Sequence, residues 1–187
     1  MVFVDYWSGM KDIIVIDNFI SYALCDEIRM RCDDLKLKEV PAFYDEHIKE
    51  YALREKRIEK SLETSSMIAL REYLEGSLSS PDGYEYNCSN VIVYPDGITL
   101  PMHLDNPSCR TPDNFKFTRT IGMICFLNDD FEGGELIFPN QDKVIKPEKG
   151  SLVIFPINHL YPHMVNTTVE GKRYALRINL FKNTETP

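Results

Sequence analysis

The sequence predicts a mainly β protein, in which N-terminal helices precede an antiparallel double-sheet core of the sandwich, jelly-roll or barrel type. Helical patterns occupy residues 1–83, and from residue 84 onward short runs of Val, Ile, Phe and Tyr alternate with turn residues. Short apolar runs with this punctuation are typical of two packed sheets. A length of 187 residues suits one domain. We therefore expect a single domain over 1–187, with a helical support region at 1–83 and a jelly-roll core at 84–187.

The N-terminal region contains three elements in order. The stretch "IIVIDNFIS" predicts a short strand followed by a turn. The stretch "YALCDEIRMRCDDL" places Leu24, Ile28, Cys32 and Leu35 on one face of a helix, with charged residues opposite. The stretch "SSMIALREYLEGSL", residues 65–78, predicts a second helix that begins at its serines.

Residues 43–62 are dense in charge and have only a weak apolar stripe. This pattern predicts a solvated helix or a surface segment. The alternative is a lid or a loop that contacts substrate. His47 lies in this segment and is expected to face solvent.

The core region contains eight apolar runs that predict short strands. Each is bounded by Gly, Pro, Asn or Asp, which are the residues that favour turns. The runs lie at about 85–94, 98–103, 119–127, 135–138, 143–146, 151–155, 163–166 and 173–181.

Charge, cysteine content and hydropathy exclude several partner classes. The formal net charge of −8 argues against a nucleic-acid partner and against an anionic membrane surface. Five cysteines without a C-x-x-C pair indicate free thiols in a reducing compartment. No apolar stretch reaches the roughly 18 residues of a membrane span, and the N-terminus lacks a basic start. We expect a cytoplasmic protein without membrane or nucleic-acid partners; the sequence leaves its oligomeric state open.

The stretch "YPDGITLPMHLDN", residues 94–106, contains a candidate metal-binding pair. His103 and Asp105 are two residues apart on an extended segment, so their side chains point to the same side. Two histidines and one carboxylate are the ligands of many non-haem Fe(II) sites. The third ligand would be His159 or His163, both in "INHLYPHMVN". Taken alone, the pair could also be a polar feature where a strand meets a loop.

The last strand, "RYALRINLF", has one polar face. Alternation places Arg173, Ala175, Arg177 and Asn179 on one side of the strand and apolar residues on the other. The polar face must contact water or line a polar cavity. An arginine in such a cavity would bind a carboxylate with its planar fork, and Asn179 is a candidate for the substrate-cavity wall.

The stretch from Tyr94 to Phe181 resembles the Fe(II)- and 2-oxoglutarate-dependent oxygenases of the prolyl 4-hydroxylase type. The matching motifs, in order, are "YPDGITLPMHLD", "RTIGMICFLNDDFEGGELIFP", "KPEKGSLVIFP" and "HMVNTTVEGKRYAL". The N-terminal "IIVIDNFISYALCDEI" is also similar to the first strand and helix of this family. The resemblance implies a double-stranded β-helix core, jelly-roll or cupin-like, supported by α-helices.

The resemblance assigns roles to individual residues. It implies that Fe(II) is bound by His103, Asp105 and His163, so that His159 is a structural residue or a pocket neighbour. Arg173 would pair with the distal carboxylate of 2-oxoglutarate, and Tyr94 would help to hold that carboxylate. Arg119 would lie near the substrate.

The resemblance also implies an activity. The expected enzyme is a dioxygenase that hydroxylates an unactivated C–H bond, with peptidyl proline as the leading substrate and succinate and CO2 as coproducts. It would use Fe(II), 2-oxoglutarate and O2, with ascorbate as a further candidate. Asp105 favours hydroxylation over halogenation. Asn183 stands where the nucleic-acid dealkylating branch has a second arginine, which argues against that branch together with the acidic charge.

Two alternatives to peptidyl proline stay open. The same chemistry could act on a free amino acid or another small metabolite, or the protein could be a non-catalytic jelly-roll sensor of metal or 2-oxoglutarate. The loop at 106–117 would suit a small substrate if it closes the mouth of the site, and a peptide if it is open.

The sequence departs from the family pattern at several pocket positions. Gly122 stands where a threonine is common, Leu100 replaces an aromatic residue, and Thr167-Thr168 replaces a Pro-Val pair. Glu135, in the family landmark "GGEL", is interpreted as structural. Arg177 could pair with an acidic neighbour or project into the pocket beside Arg173.

Overall fold

The computed structural model describes residues 12–33, 38–40, 49–52, 84–105, 108–110 and 116–183, and for part of the strands it describes the backbone alone. The described residues form one α-helix, α1 (Tyr22–Asp33), and fourteen strands. The strands are β1 (Ile14–Ile16), β2 (Lys38–Val40), β3 (Lys49–Ala52), β4 (Tyr84–Tyr94), β5 (Leu100–His103), β6 (Ser108–Arg110), β7 (Lys116–Phe126), β8 (Glu132–Gly133), β9 (Leu136–Phe138), β10 (Lys143–Ile145), β11 (Leu152–Pro156), β12 (His163–Val165), β13 (Thr168–Val169) and β14 (Arg173–Asn183). A short 3-10 turn at Pro139–Gln141 joins β9 to β10.

The larger sheet has eight strands, in the order β1-β11-β7-β14-β4-β3-β2, with β6 paired to β7 off this path. All of its pairs are antiparallel. Strands β4, β7 and β14 each span eleven residues and lie side by side at its centre. These long strands are rich in β-branched and aromatic residues, which favour a pleated, half-buried surface.

The smaller sheet has four strands, in the order β10-β9-β12-β5, and packs face to face with the larger one. One buried cluster joins them, with Leu136, Phe138 and Val165 from the smaller sheet and Phe126 and Phe155 from the larger. Two facing antiparallel sheets with apolar inner faces confirm the expected double-stranded β-helix.

The outer face of the larger sheet is covered by α1. Cys25, Ile28 and Cys32 of the helix are buried in one cluster with Tyr174 and Leu176 of β14. The predicted helical face is thus confirmed at Leu24, Ile28 and Cys32, whereas Leu35 lies outside the described residues. The Ser21 Oγ accepts a hydrogen bond from the Leu24 amide at 3.3 Å, which caps the first turn.

Polar contacts fix the orientation of α1 on the sheet. The Tyr174 hydroxyl donates a hydrogen bond to Asp33 at the end of the helix. The Arg29 guanidinium lies 5.1 Å from the centre of the Tyr174 ring and 3.1 Å from the Asp130 carboxylate. Asn128, which is buried, accepts a hydrogen bond from the Tyr174 amide and donates to Asp130, so these contacts form one network.

The eight predicted core strands are all present, with ends that differ from the predictions by up to three residues. Of the structures predicted for 43–62, the solvated helix is wrong at Lys49–Ala52, because these residues form β3 and pair with β4. The rest of 43–62, His47 and the helix predicted at 65–78 lie outside the described residues. No helix in the described part of the chain is long and apolar enough to cross a membrane.

Candidate active site

Two histidines and an aspartate meet where β5 and β12 pair. His163 lies directly opposite His103 in this antiparallel ladder, and their ring centroids are 4.4 Å apart. Asp105 follows two residues after His103, and its Oδ1 lies 3.9 Å from the His103 Nε2. One ligand atom from each of the three residues lies within 4.8 Å of the other two. His159 is exposed on the turn after β11, so the structure brings His163, and not His159, to the pair.

The backbone holds both imidazole rings in the same manner. The His103 Nδ1 lies 2.9 Å from the Pro101 carbonyl oxygen, and the His163 Nδ1 lies 3.2 Å from the Tyr161 carbonyl oxygen. A carbonyl oxygen can only accept, so each Nδ1 carries the hydrogen. A neutral imidazole carries only one ring hydrogen, so a hydrogen on Nδ1 leaves the lone pair of Nε2 available for a metal ion.

Burial favours the neutral form of His163. Its side chain is 5% exposed, and this burial lowers its pKa, against an opposing effect of the nearby Asp105 carboxylate. Phe155 and Phe138 contact its ring, with centroid distances of 4.9 and 5.2 Å. A metal ion needs imidazole in its neutral form, so this environment favours ligation. Two imidazole nitrogens and one carboxylate on one side of a cavity fit Fe(II) and leave further coordination positions open.

Arg173 lies at the start of β14, opposite Tyr94 of β4, and is 1% exposed. Its Cζ lies 4.6 Å from the centre of the Tyr94 ring and 5.2 Å from that of Phe126, and the Tyr94 hydroxyl is also hydrogen-bonded to it. Burial lowers the pKa of the guanidinium, and Tyr94 opposes this effect. Its Nε and Nη1 have no hydrogen-bond partner in the described part of the structure. Buried donors of this kind call for a bound acceptor, and a carboxylate fits the guanidinium fork.

The glycines of "GGEL" make room for the strands around Arg173. Gly134 has a φ of +66°, and a Cβ there would lie 3.0 Å from the Arg173 Cδ. At Gly133, with a φ of +70°, a Cβ would lie 2.0 Å from the Thr167 carbonyl oxygen. The Glu135 carboxylate accepts a hydrogen bond from the Asn166 side chain at 2.9 Å. The two glycines thus permit close packing, and Glu135 holds a neighbouring side chain, as expected of a structural motif.

The position of Gly122 has a packing explanation that sequence patterns did not supply. A Cβ on Gly122 would lie 2.6 Å from the Phe155 ring, so the aromatic ring occupies the space of a side chain there. Leu100, another departure from the family pattern, is buried opposite Val165 in the same core. Thr167-Thr168, which stands in place of the Pro-Val pair of the family pattern, is also packed into the structure. The Thr167 hydroxyl lies 2.7 Å from that of Thr99, and Thr168 is fully buried.

The two predicted substrate residues are placed by their backbone only. Arg119 lies in β7 opposite Phe181, and Asn179 lies in β14 opposite Gly122. Their side chains are outside the described part of the structure.

Sequence reasoning did not identify Phe138, Phe155, Pro101 or Tyr161 as neighbours of the histidines. The signal present in the sequence was weak: Pro101 and Tyr161 each stand two residues before a candidate ligand.

Comparison with known proteins defines the class. The family model for the 2OG-Fe(II) oxygenase superfamily matches residues 89–181. This range contains the three candidate metal ligands and Arg173. Residues 89–181 thus form a 2OG-Fe(II) oxygenase domain. The expected class is therefore confirmed, and with it Fe(II) and 2-oxoglutarate as the cofactor and cosubstrate of the family.

Similar curated proteins are prolyl 3-hydroxylases. Human prolyl 3-hydroxylase 2 is 34% identical over 94 residues, which is 43% of this chain and 13% of that protein. Human prolyl 3-hydroxylase 3 is 34% identical with the same coverage. The chain thus spans a small part of the length of these relatives.

Similar solved structures are prolyl hydroxylases. The viral collagen prolyl hydroxylase of Paramecium Bursaria Chlorella virus-1, as a 2OG complex, has a TM-score of 0.66 at 20% identity and covers 94% of this chain and 97% of its own. A Pseudomonas putida prolyl-4-hydroxylase has a TM-score of 0.58 at 20% identity, with coverages of 91% and 92%. A Trichoplax adhaerens prolyl hydroxylase, in complex with a hypoxia inducible factor peptide fragment, has a TM-score of 0.59 at 21% identity, with coverages of 91% and 83%. These likenesses support the double-stranded β-helix fold.

Proposed function

We propose that the protein is an Fe(II)- and 2-oxoglutarate-dependent dioxygenase that hydroxylates peptidyl proline, in the manner of a prolyl 4-hydroxylase. One observation carries this proposal: the His103, Asp105 and His163 ligand atoms within 4.8 Å, in a barrel that also buries Arg173 with two donors unbound. The similar proteins are prolyl hydroxylases, and one of them binds a peptide fragment.

Each residue of the site has a role in this proposal. His103, Asp105 and His163 hold the metal, and the carbonyls of Pro101 and Tyr161 keep the two Nε2 atoms directed at it. When bound, iron and 2-oxoglutarate couple the decarboxylation of 2-oxoglutarate to succinate and CO2 with the insertion of an oxygen atom into a C–H bond.

Arg173 and Tyr94 orient the cosubstrate. The guanidinium, whose buried Nε and Nη1 have no partner among the described residues, donates to the distal carboxylate of 2-oxoglutarate, and the Tyr94 hydroxyl lies beside it. The carboxylate restores the hydrogen bonds that burial denies to Arg173, so binding recovers a desolvation cost that folding has already imposed.

The apolar lining restricts water near the metal. Phe138, Phe155, Leu100 and Val165 are all at most 6% exposed and belong to the cluster beside His163. Exclusion of water strengthens the pairing of Arg173 with a carboxylate and limits side reactions at the metal.

The direct test is turnover by purified protein with Fe(II), 2-oxoglutarate, ascorbate and O2, across a panel of proline-containing peptides, free amino acids and small metabolites. We expect succinate, together with a gain of one oxygen atom on a proline peptide. Amino-acid analysis of the product distinguishes 4-hydroxyproline from 3-hydroxyproline. His103→Ala is the inactive control, and His159→Ala, which changes an exposed histidine on a nearby turn, is the matched control expected to stay active.

Three other outcomes separate the alternatives. Hydroxylation restricted to a free amino acid or metabolite would move the substrate class away from peptides. Binding of Fe(II) and 2-oxoglutarate without succinate would indicate a sensor. Equal succinate formation by wild type and His103→Ala would overturn the proposed site.

A further inference from the structure

Asn128 holds the backbone on both sides of Arg173. Its Nδ2 donates a hydrogen bond to the Lys172 carbonyl oxygen at 2.7 Å, and its Oδ1 accepts one from the Tyr174 amide at 2.7 Å. The Nδ2 also donates to the Asp130 carboxylate at 2.6 Å. A carbonyl or carboxylate oxygen accepts and a backbone N–H donates, so these three partners fix which end of the side chain is the oxygen.

The side chain of Asn128 takes the place of a strand partner at this point of the sheet. The ladder between β7 and β14 begins at the pair Phe126–Ala175, and the Leu127 amide still donates to the Tyr174 carbonyl oxygen at 3.0 Å. One residue further, β7 has ended, and the Asn128 side chain bonds to the backbone of β14 instead. Because Asn128 is only 1% exposed, water has little access to replace these bonds.

These two bonds determine where the Arg173 side chain points. They hold the two peptide groups that flank its Cα, and the pairing with Tyr94 of β4 holds the same residue from the other side. Alternation then directs Arg173 to the enclosed side, beside Phe126, and Tyr174 to the outer face, where its hydroxyl reaches Asp33. A rotation of either peptide group would turn the whole arginine side chain.

The Arg173 guanidinium depends on its backbone for a precise position. The Tyr94 hydroxyl is hydrogen-bonded to it, and the rings of Tyr94 and Phe126 lie 4.6 and 5.2 Å from its Cζ. Its Nε and Nη1 have no partner among the described residues. The groups of a binding site need to be held within about 0.5 Å and 10–20° of the productive geometry, by neighbours that are themselves fixed.

We propose that Asn128 is a positioning residue for 2-oxoglutarate, because it fixes the two peptide groups that aim the Arg173 guanidinium at the distal carboxylate. This inference rests on the proposed function, in which Arg173 receives that carboxylate. The competing role is purely structural. Asp130 lies 3.1 Å from Arg29, so the bond from Asn128 to Asp130 also ties the segment after β7 to α1.

The test measures binding, so that it does not depend on turnover. Protein loaded with Fe(II) in the absence of O2 is titrated calorimetrically with 2-oxoglutarate and with 2-oxopentanoate, in which a methyl group replaces the distal carboxylate. Asn128→Ala should weaken 2-oxoglutarate binding by about tenfold to 100-fold, since a misplacement of about 1 Å can cost that much. The affinities for Fe(II) and for 2-oxopentanoate should match those of wild type, because neither involves Arg173.

An exchange of the two polar side chains separates positioning from anchoring. In the double variant Asn128→Asp with Asp130→Asn, the two side chains can still be hydrogen-bonded to each other, with donor and acceptor exchanged. The Tyr174 amide keeps its acceptor, but the donor to the Lys172 carbonyl oxygen is lost. We expect the double variant to bind 2-oxoglutarate as weakly as Asn128→Ala does. Recovery of the wild-type affinity would show that only the bond between positions 128 and 130 matters.

Two control variants complete the set. Asp130→Asn alone removes the charge that faces Arg29 and leaves the bonds from Asn128 to β14 in place. Asn140→Ala removes an exposed asparagine that also donates to a carbonyl oxygen, that of Leu160, at 3.1 Å. Both controls should bind 2-oxoglutarate like wild type.

Every result decides the inference. Wild-type affinity for 2-oxoglutarate in Asn128→Ala or in the double variant overturns it. Equal losses for 2-oxoglutarate, 2-oxopentanoate and Fe(II), or failure of both variants to fold, would show a structural role and overturn it as well. The proposed function fails by a different result, namely that Arg173→Leu binds 2-oxoglutarate like wild type.

Discussion

His103 and His163 face each other directly across the β5–β12 ladder, with ring centroids 4.4 Å apart. Each ring is held through its Nδ1 by a carbonyl oxygen two residues earlier in the chain. The separation and the tautomers of the two candidate ligands are thus set by strand pairing and by the backbone. A metal ion would meet a site that folding has already organised.

Loss of a metal ligand should remove metal binding and leave the fold intact. His103→Ala and Asp105→Ala change half-buried residues at the end of an edge strand, so their effect on stability is small. We expect Fe(II) affinity to fall by more than about 100-fold. Loss of a residue that is merely hydrogen-bonded to a metal ligand already lowers metal affinity by about 10–100-fold. Equilibrium dialysis with metal analysis measures this. His159→Ala is the control, and variants that load iron like wild type would contradict the assignment.

Arg173 should be needed for the cosubstrate and not for folding. Arg173→Leu removes a buried charge whose Nε and Nη1 have no partner among the described residues, so thermal stability without ligands should be equal or higher. The rise in melting temperature that 2-oxoglutarate causes in wild type should disappear. Calorimetry of the Fe(II)-loaded protein measures both effects.

Two further variants refine this prediction. Tyr94→Phe should weaken 2-oxoglutarate binding by about tenfold or less, because it removes one hydrogen bond and keeps the ring. Lys172→Gln, beside Arg173 but exposed, should change nothing. Retained stabilisation by 2-oxoglutarate in Arg173→Leu would place the carboxylate site elsewhere.

Gly122 and Phe155 should be energetically coupled. A methyl group on Gly122 lies too close to the Phe155 ring, so Gly122→Ala should destabilise the protein by about 1–3 kcal/mol. Phe155→Leu alone should also destabilise it, through the space it leaves beside His163. The double variant should be less destabilised than the sum of the two single variants, because the smaller Leu leaves room for the added methyl group. Urea denaturation of wild type, both single variants and the double variant measures this coupling. Simple additivity would mean that the cost of Gly122→Ala does not arise from contact with the Phe155 ring.

Stability should decrease at alkaline pH because of two buried thiols. Burial raises the pKa of Cys25 to about 11 and that of Cys32 to about 12. In the unfolded chain these thiols ionise near their ordinary pKa of 9.0, so above that pH the folded state retains protons that the unfolded state releases. Each raised pKa therefore stabilises the fold below about pH 9 and loses this contribution as the pH rises towards the folded value.

The expected size of this effect is on the order of 2 kcal/mol between pH 8 and pH 10, from the two thiols together. Urea denaturation at a series of pH values measures it. In Cys32→Ala, the decrease in the free energy of unfolding between pH 8 and pH 10 should be about half as large as in wild type, whatever the stability of the variant at pH 8. A drop of equal size in the variant would assign the effect to other groups.

Much of the core was predictable because its signals are local. The eight apolar runs appear as strands, and the spacing of Leu24, Ile28 and Cys32 correctly indicates the buried face of α1. Turn residues between short apolar runs determine such elements within a few positions of sequence. The three free cysteines that the structure describes, Cys25, Cys32 and Cys125, are buried packing groups, as their number and spacing indicated.

The candidate ligands were predictable from motifs, but their surroundings were not. The resemblance identified His163 and Arg173, and the structure places the first opposite His103 and the second opposite Tyr94. The contact between Gly122 and Phe155 depends on the register of β7 with β11, which no local pattern specifies. Likewise, the charged residues of β3 form a strand because β4 offers a free edge, so tertiary pairing overrides their weak local preference.

The origin of the oxygen in succinate tests the central claim most directly. Purified protein with Fe(II) and 2-oxoglutarate is supplied with isotopically labelled oxygen gas, and the succinate is analysed by mass spectrometry. If His103, Asp105 and His163 form the iron centre of a 2-oxoglutarate dioxygenase, wild type and His159→Ala will yield succinate with one labelled oxygen atom, and His103→Ala will yield none. Unlabelled succinate, or none, from metal-loaded wild type with its peptide panel would contradict the account.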